Sequence, residues 1–150
     1  MKVQGTLILG VLLFSLCSFK LNWCRKQGIE GYLYKVSGNQ MPSPDQKPSP
    51  PLGIKDTLYI YELTNTSQVI KKDASPFYSS IATRFVKWVV TNNKGYFKVK
   101  LPVGKYSLFV KKDTFFYSNR FDSQNNIAPV EVLAKKMIKV EFRVDYGAVY

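Results

Sequence analysis

Along residues 96–101 the chain alternates without a break: Phe97, Val99 and Leu101 fall on one side, Tyr96, Lys98 and Lys100 on the other. A period of two is the pattern of a strand with one face buried. The alternation resumes after Pro102, with Tyr106, Leu108 and Val110 on one face and Ser107, Phe109 and Lys111 on the other. Two such runs joined by a short Pro/Gly segment predict a β-hairpin. Upstream, residues 84–91 are expected to turn Val86, Trp88 and Val90 inward and Lys87 and Val89 outward, and Asn92, Asn93 and Gly95 supply a tight turn after them. Three consecutive antiparallel strands are the expectation for this region.

The same rule finds more strands on either side. Ile138, Val140, Phe142 and Val144 alternate with Lys139, Glu141, Arg143 and Asp145, and Val130 and Val132 predict a shorter strand before them. The runs GIEGYLYKV and DTLYIYELT are rich in β-branched and aromatic residues. Residues 75–84 are the one place where a short helix is expected. Between the first two strands, residues 37–53 carry a run of prolines; proline cannot donate to a sheet ladder, so this stretch reads as an exposed extended loop. About seven short strands with turn signals between them, and no helices alternating with them, predict an all-β, seven-stranded antiparallel Greek-key β-sandwich.

Length and composition narrow the picture. The 150 residues, 45% of them hydrophobic, leave room for one core and so one domain. Residues 1–19 carry one early positive charge and an apolar run from Leu7 to Leu16, too short to span a bilayer comfortably and suited to a signal peptide. The organisation expected is therefore a signal at 1–19, an N-terminal linker at 20–27 and a single domain at 28–150. Cys17, at the end of LFSLC, is the candidate lipidation site of a bacterial lipoprotein signal, although Leu16 stands where small residues are usual. Cys17 and Cys24 are the two cysteines, both beside the targeting segment, so no disulfide within the domain is expected. The formal charge of +12 is spread as singles and pairs of basic residues, which favours contact with anionic surfaces without naming one.

The opening GIEGYLY strand followed by TNNKGYFKVKLPVGKYSLFV resembles the carboxypeptidase regulatory-like family of transthyretin-like (prealbumin-like, Ig-like) β-sandwiches, common in exported bacterial proteins. The residues that carry the likeness are Gly31, Thr91, Gly95, Phe97, Leu101, Pro102, Gly104 and Tyr106. The resemblance covers about Gly28 to Tyr146. It implies turn-forming roles for Gly95 and Gly104, a stiffening role for Pro102 and core positions for Phe97 and Tyr106; it says little about activity, because sites are grafted onto such folds through their loops.

Several chemistries are excluded at once. The chain contains no histidine, which removes the histidine-dependent hydrolases and iron dioxygenases of similar topology, zinc carboxypeptidase chemistry, and any Ser-His or Cys-His nucleophile. No enzyme, cofactor or metal site is expected. Asp122 to Asn126 reads as a polar turn rather than a calcium loop, and Glu62 is the one acid considered as promoter of an isopeptide crosslink.

The candidate ligand-binding residues are Phe115, Phe116, Tyr117, Asn119 and Arg120, read as an aromatic, basic loop at one end of the sandwich (115–121) on which sugar rings would stack. The function expected is a non-catalytic exported module with a binding or structural role at the bacterial cell envelope, in the periplasm, on the outer membrane or outside the cell. Its expected partner is a protein or a cell-surface glycan, not nucleic acid, with the membrane reached only through an N-terminal lipid anchor. The alternative is a carbohydrate-binding accessory domain that uses the aromatic loop.

Overall fold

The computed structural model describes residues 26–41, 50–73 and 75–149. The signal segment, Cys17, Cys24, the linker up to residue 25 and the middle of the Pro-rich loop lie outside the described residues.

The fold is all-β, with no α-helix among the described residues. Among the described residues eleven strands follow one another: β1 (Gly28–Asn39), β2 (Leu52–Gly53), β3 (Thr57–Glu62), β4 (Val69–Lys71), β5 (Phe77–Ile81), β6 (Phe85–Val90), β7 (Tyr96–Lys100), β8 (Gly104–Lys112), β9 (Phe115–Tyr117), β10 (Pro129–Val132) and β11 (Met137–Val149). A 3-10 turn, Thr66–Gln68, is capped by the Asn65 side chain. The short helix expected over 75–84 is absent; Phe77–Ile81 is a strand whose aromatic and β-branched ends pack into the protein.

Four strands form the smaller sheet, with β1 at its centre. On one side β1 pairs in parallel with β11, from Gly28 opposite Met137 to Asn39 opposite Val149. On its other side β7 and then β2 pair antiparallel. The larger sheet runs β4-β5-β9-β8-β3-β6, with β10 also on β8. The sequence reading of a wholly antiparallel sandwich is corrected at β1/β11. Parallel neighbours need a long crossover, and here the whole intervening chain serves as one.

The expected hairpin is corrected as well. β7 and β8 do not pair: β7 belongs to β1 and the smaller sheet, β8 to β3, β9 and β10 in the larger. Residues 101–103 carry the chain across the sandwich. Face assignment survives this change, because strands in opposing sheets also turn alternate residues toward one another. Phe97, Val99 and Leu101 meet Tyr106, Leu108 and Val110 in one core, with Ile29, Leu33, Leu58, Ile60, Phe142 and Val144.

β8 is covered on both faces. Ser107 and Phe109, expected to face outward, are fully buried. Phe109 joins Tyr78 and Ile127 in a second cluster on the far side of the larger sheet, walled by Tyr59, Tyr61, Phe116, Val69 and Ile81. The near-continuous apolar run from Tyr106 to Val110 is what burial on two faces requires.

In β6 the predicted parity fails. The register against β3 slips between Ile60 and Tyr61, leaving Val86 as the extra residue of a bulge. Val86 and Val89 pack on the core, while Trp88 is turned out and 56% exposed.

Three motif residues have visible structural roles. Thr91 is buried, and its hydroxyl accepts from Asp56 N at 2.8 Å and donates to Ile54 O at 2.7 Å. It thereby ties the end of β6 to the segment that leads into β3. Gly95 has φ +80°, and a Cβ there would lie 2.2 Å from Leu33 O, so glycine is required for both conformation and space. Tyr106 is buried and donates its hydroxyl hydrogen to Pro102 O at 3.0 Å, bracing the crossing between the sheets.

Tyr78 gives the fold an alkaline limit. It is fully buried, its hydroxyl donates to Ser118 O at 3.1 Å, and burial pushes its phenol up to about 12. The folded-state value lies above that of the unfolded chain, about 10. The contribution is therefore intact below about pH 10 and is lost as pH rises from there through about 12, on the order of 1.4 kcal/mol per pH unit. Urea midpoints measured at about pH 9 and about pH 11.5 should fall more for the wild type than for Tyr78→Phe; equal falls would show that Tyr78 does not set the limit.

Candidate functional site

The outer face of the smaller sheet is built by three strands whose alternate residues cannot enter the core. With Ile29 and Leu33 turned inward, β1 presents Glu30, Tyr32 and Tyr34; β7 presents Tyr96 and Lys98; β11 presents Lys139, Glu141 and Arg143. Register assembles them into rows. Lys139, Glu30 and Lys98 form the first, Glu141, Tyr32 and Tyr96 the second, and Arg143, Tyr34 and Gly53 the third. Gly53 brings no side chain to its corner, so Tyr34 is not walled in there.

The tyrosines form one group. Tyr32 stacks on Tyr34 with centroids 5.7 Å apart and planes within 14°, and meets Tyr96 edge-on at 5.5 Å. Beside them opens a groove of about 370 Å³ lined by Glu30, Tyr32, Tyr96, Lys139 and Glu141, with Gly31 and Val140 completing the lining. Tyr32 is 40% exposed, with ring area available to a partner.

Glu30 organises the polar half. Its Oε2 lies 2.9 Å from Lys98 Nζ and accepts from the Tyr96 hydroxyl at 3.2 Å. The hydrogen bond from Lys98 holds the Glu30 carboxyl below its ordinary range, with Tyr96 and the charge of Lys139 adding to the effect. Lys98 is pushed up by the same bond. Tyr96 is pushed up by desolvation first and by the Glu30 charge second. At neutral pH the group is thus a fixed carboxylate, an ammonium and a neutral phenol. Such a set offers acceptors and donors beside flat rings, which is what a polyhydroxylated ligand requires.

The five candidate residues read from the sequence do not form one loop. Phe115, Phe116 and Tyr117 are strand β9 and point to different sides. Phe115 lies under the Lys72 ammonium, 4.1 Å from the ring centroid, beside a cavity of about 230 Å³ that Phe77 and Lys112 also line. Phe116 packs edge-on against Tyr59 and Tyr61 on the outside of the larger sheet, at 5.7 and 5.6 Å. Tyr117 is fully buried and donates to Asp145 Oδ1, which also accepts from Asn119 Nδ2 at 2.7 Å. Arg120 reaches the backbone of β11, donating through Nη1 to Glu141 O at 3.0 Å. Tyr96, Lys98, Lys139, Glu141 and Arg143 were read from sequence as the outward half of alternating strands; Glu30, Tyr32 and Tyr34 were given no face, although they alternate with Ile29, Gly31 and Leu33 in the same way. What sequence alone lacked was the register that sets Tyr32 beside Tyr96 and Glu141.

Two further motifs have structural explanations. Asp122 accepts through Oδ1 from the backbone of Gln124 and Asn126 at 2.9 and 2.8 Å, and through Oδ2 from Asn126 Nδ2 at 2.9 Å, so its carboxylate closes a polar turn. Glu62 is exposed and pairs with Arg84 at 2.6 Å; the shielded setting that an isopeptide-promoting acid needs is missing there, and that role is withdrawn.

The chain matches no protein-family model, no curated protein and no solved structure. The tyrosine-and-charge face therefore has to be read from its own chemistry.

Proposed function

We propose that this chain is a non-catalytic exported β-sandwich of the transthyretin-like, Greek-key, carboxypeptidase regulatory-like type, which acts at the bacterial cell envelope by binding a glycan on the outer face of its smaller sheet. One observation carries the reading: Tyr32, Tyr34 and Tyr96 lie together beside an ordered Glu30–Lys98 pair and an open groove. Aromatic faces stack against the apolar faces of sugar rings, while carboxylates and ammonium groups meet hydroxyls.

A glycan array probed with the protein, followed by calorimetry on any hit, tests this. Tyr32→Ala is expected to weaken binding by about tenfold or more, the scale of one lost ring contact of 1.4 kcal/mol, with a melting temperature close to wild type because the ring is on the surface. Tyr117→Ala is not a usable probe, since it opens the core. Binding that survives Tyr32→Ala and Tyr96→Ala unchanged would remove the face as the site. An array without hits would favour a protein partner, for which the exposed Phe85 and Trp88 of edge strand β6 are the available surface.

A further inference from the structure

One pole of the sandwich is built from three pieces of chain: the entry residues Lys26 and Gln27, the β7–β8 crossing at 101–103, and the β10–β11 turn at 133–136. The Gln27 side chain fastens them. Its Nε2 donates to Leu101 O at 3.0 Å, and its Oε1 accepts from Lys135 N at 3.2 Å. The ladder closes behind it, with Gly28 N donating to Lys136 O at 3.0 Å. The turns are therefore held in place relative to each other.

At the apex of these turns the side chains are of two kinds. Val103 is 59% exposed and Leu133 is 42% exposed, where a turn in a water-soluble protein ordinarily carries polar residues. Around them stand Lys26, Lys100, Lys135 and Lys136, all exposed. None of these four lysines forms a salt bridge among the described residues. Segments 26–27, 100–105 and 133–136 contain no acidic residue; the nearest in sequence are Glu131 and, across the strands, Glu30. Aliphatic tips encircled by free ammonium groups match a surface with an apolar interior and an anionic skin.

This is also the pole at which the N-terminal segment joins the domain. From Cys17 to Lys26 the chain reaches at most roughly 30 Å when fully extended. A nucleic acid or an acidic protein would account for the lysines but not for Val103 and Leu133. Neither would account for the coincidence of the patch with the chain entry.

We infer that this pole docks on a lipid surface carrying anionic headgroups, with Val103 and Leu133 at the headgroup boundary and Lys26, Lys100, Lys135 and Lys136 on the phosphates. The inference rests on the reading of Cys17 as a lipidation site, which would hold the mature chain at a membrane.

The protein purified from membranes is reconstituted with vesicles of phosphatidylcholine alone or mixed with phosphatidylglycerol, floated on a density gradient, and compared by hydrogen exchange. In the phosphatidylglycerol mixture, peptides covering 101–104 and 133–136 should exchange several-fold more slowly than in phosphatidylcholine. Peptides covering the opposite pole at 92–95 should not change. Lys135→Gln/Lys136→Gln should abolish the difference, the loss of two contacts being worth roughly thirtyfold in local affinity, while the melting temperature stays that of the wild type. A chain that floats but shows equal exchange in both lipids overturns the docking and leaves the membrane-directed reading standing. A chain that does not float overturns both.

Discussion

Phe142→Ala lowers the stability of the domain by about 3 to 5 kcal/mol, whereas Trp88→Ala changes it by less than about 1 kcal/mol. Both residues sit on alternating strands and both are expected from sequence to face inward. Phe142 is 1% exposed in the main core with Leu33, Val144 and Val140 around it in the same cluster. Removing its ring leaves a cavity in a close-packed interior, where transfer energy and lost contacts add. Trp88 gives up no such packing, because the bulge in β6 has already turned it to solvent. Denaturant midpoints of the two variants, at unchanged slope, measure the contrast directly. Two equal losses would place Trp88 in the interior and contradict the register of β6.

Gly31→Ala should be at least as damaging. A Cβ at Gly31 would lie 1.7 Å from Val140 O and 2.7 Å from Val140 C. These are backbone atoms of the paired strand and cannot move aside like the end of a side chain. Accommodating the methyl requires β1 and β11 to part at the centre of the smaller sheet, with the loss of ladder bonds whose buried groups find no new partner. The expected result is a loss above about 4 kcal/mol, or a chain that does not fold. Far-ultraviolet circular dichroism together with a thermal melt reads the outcome. A variant that melts like the wild type would mean that the β1/β11 pairing is not as described. This is the physical content of a glycine that sequence marks only through the family resemblance.

Much of the fold was legible because a period of two is a local property. Ile29, Phe97, Leu108 and Phe142 declare their faces from near neighbours alone, and all four are buried. Pairing is not local. The segment from 96 to 110 reads equally well as a hairpin or as two strands in opposing sheets, since both arrangements bury the same residues. Only the partners β1 and β3, far away in sequence, decide between them. A bulge is similarly silent: one extra residue at Val86 reverses the parity of all that follows in β6, and no turn residue announces it.

The candidate site suffered most from this limit. Sequence distance grouped Phe115, Phe116, Tyr117, Asn119 and Arg120, but a strand sends successive residues to opposite sides, so Phe115, Phe116 and Tyr117 part, while Tyr117 and Asn119 still meet at Asp145. Tyr32, Tyr96 and Glu141 come from three distant segments and meet only through register. Their signal, rings and charges on the outward half of each strand, was present but is indistinguishable from a solvated face until the strands are laid side by side.

The parallel pairing of β1 with β11 has a mechanical consequence. The chain enters β1 at Gly28 and leaves β11 near Val149, and these points lie at opposite ends of one ladder. A pull between them acts along the strands, so the bonds of that ladder share the load instead of opening one after another. A molecule held at one end and tugged at the other would resist through the seam that joins its first strand to its last.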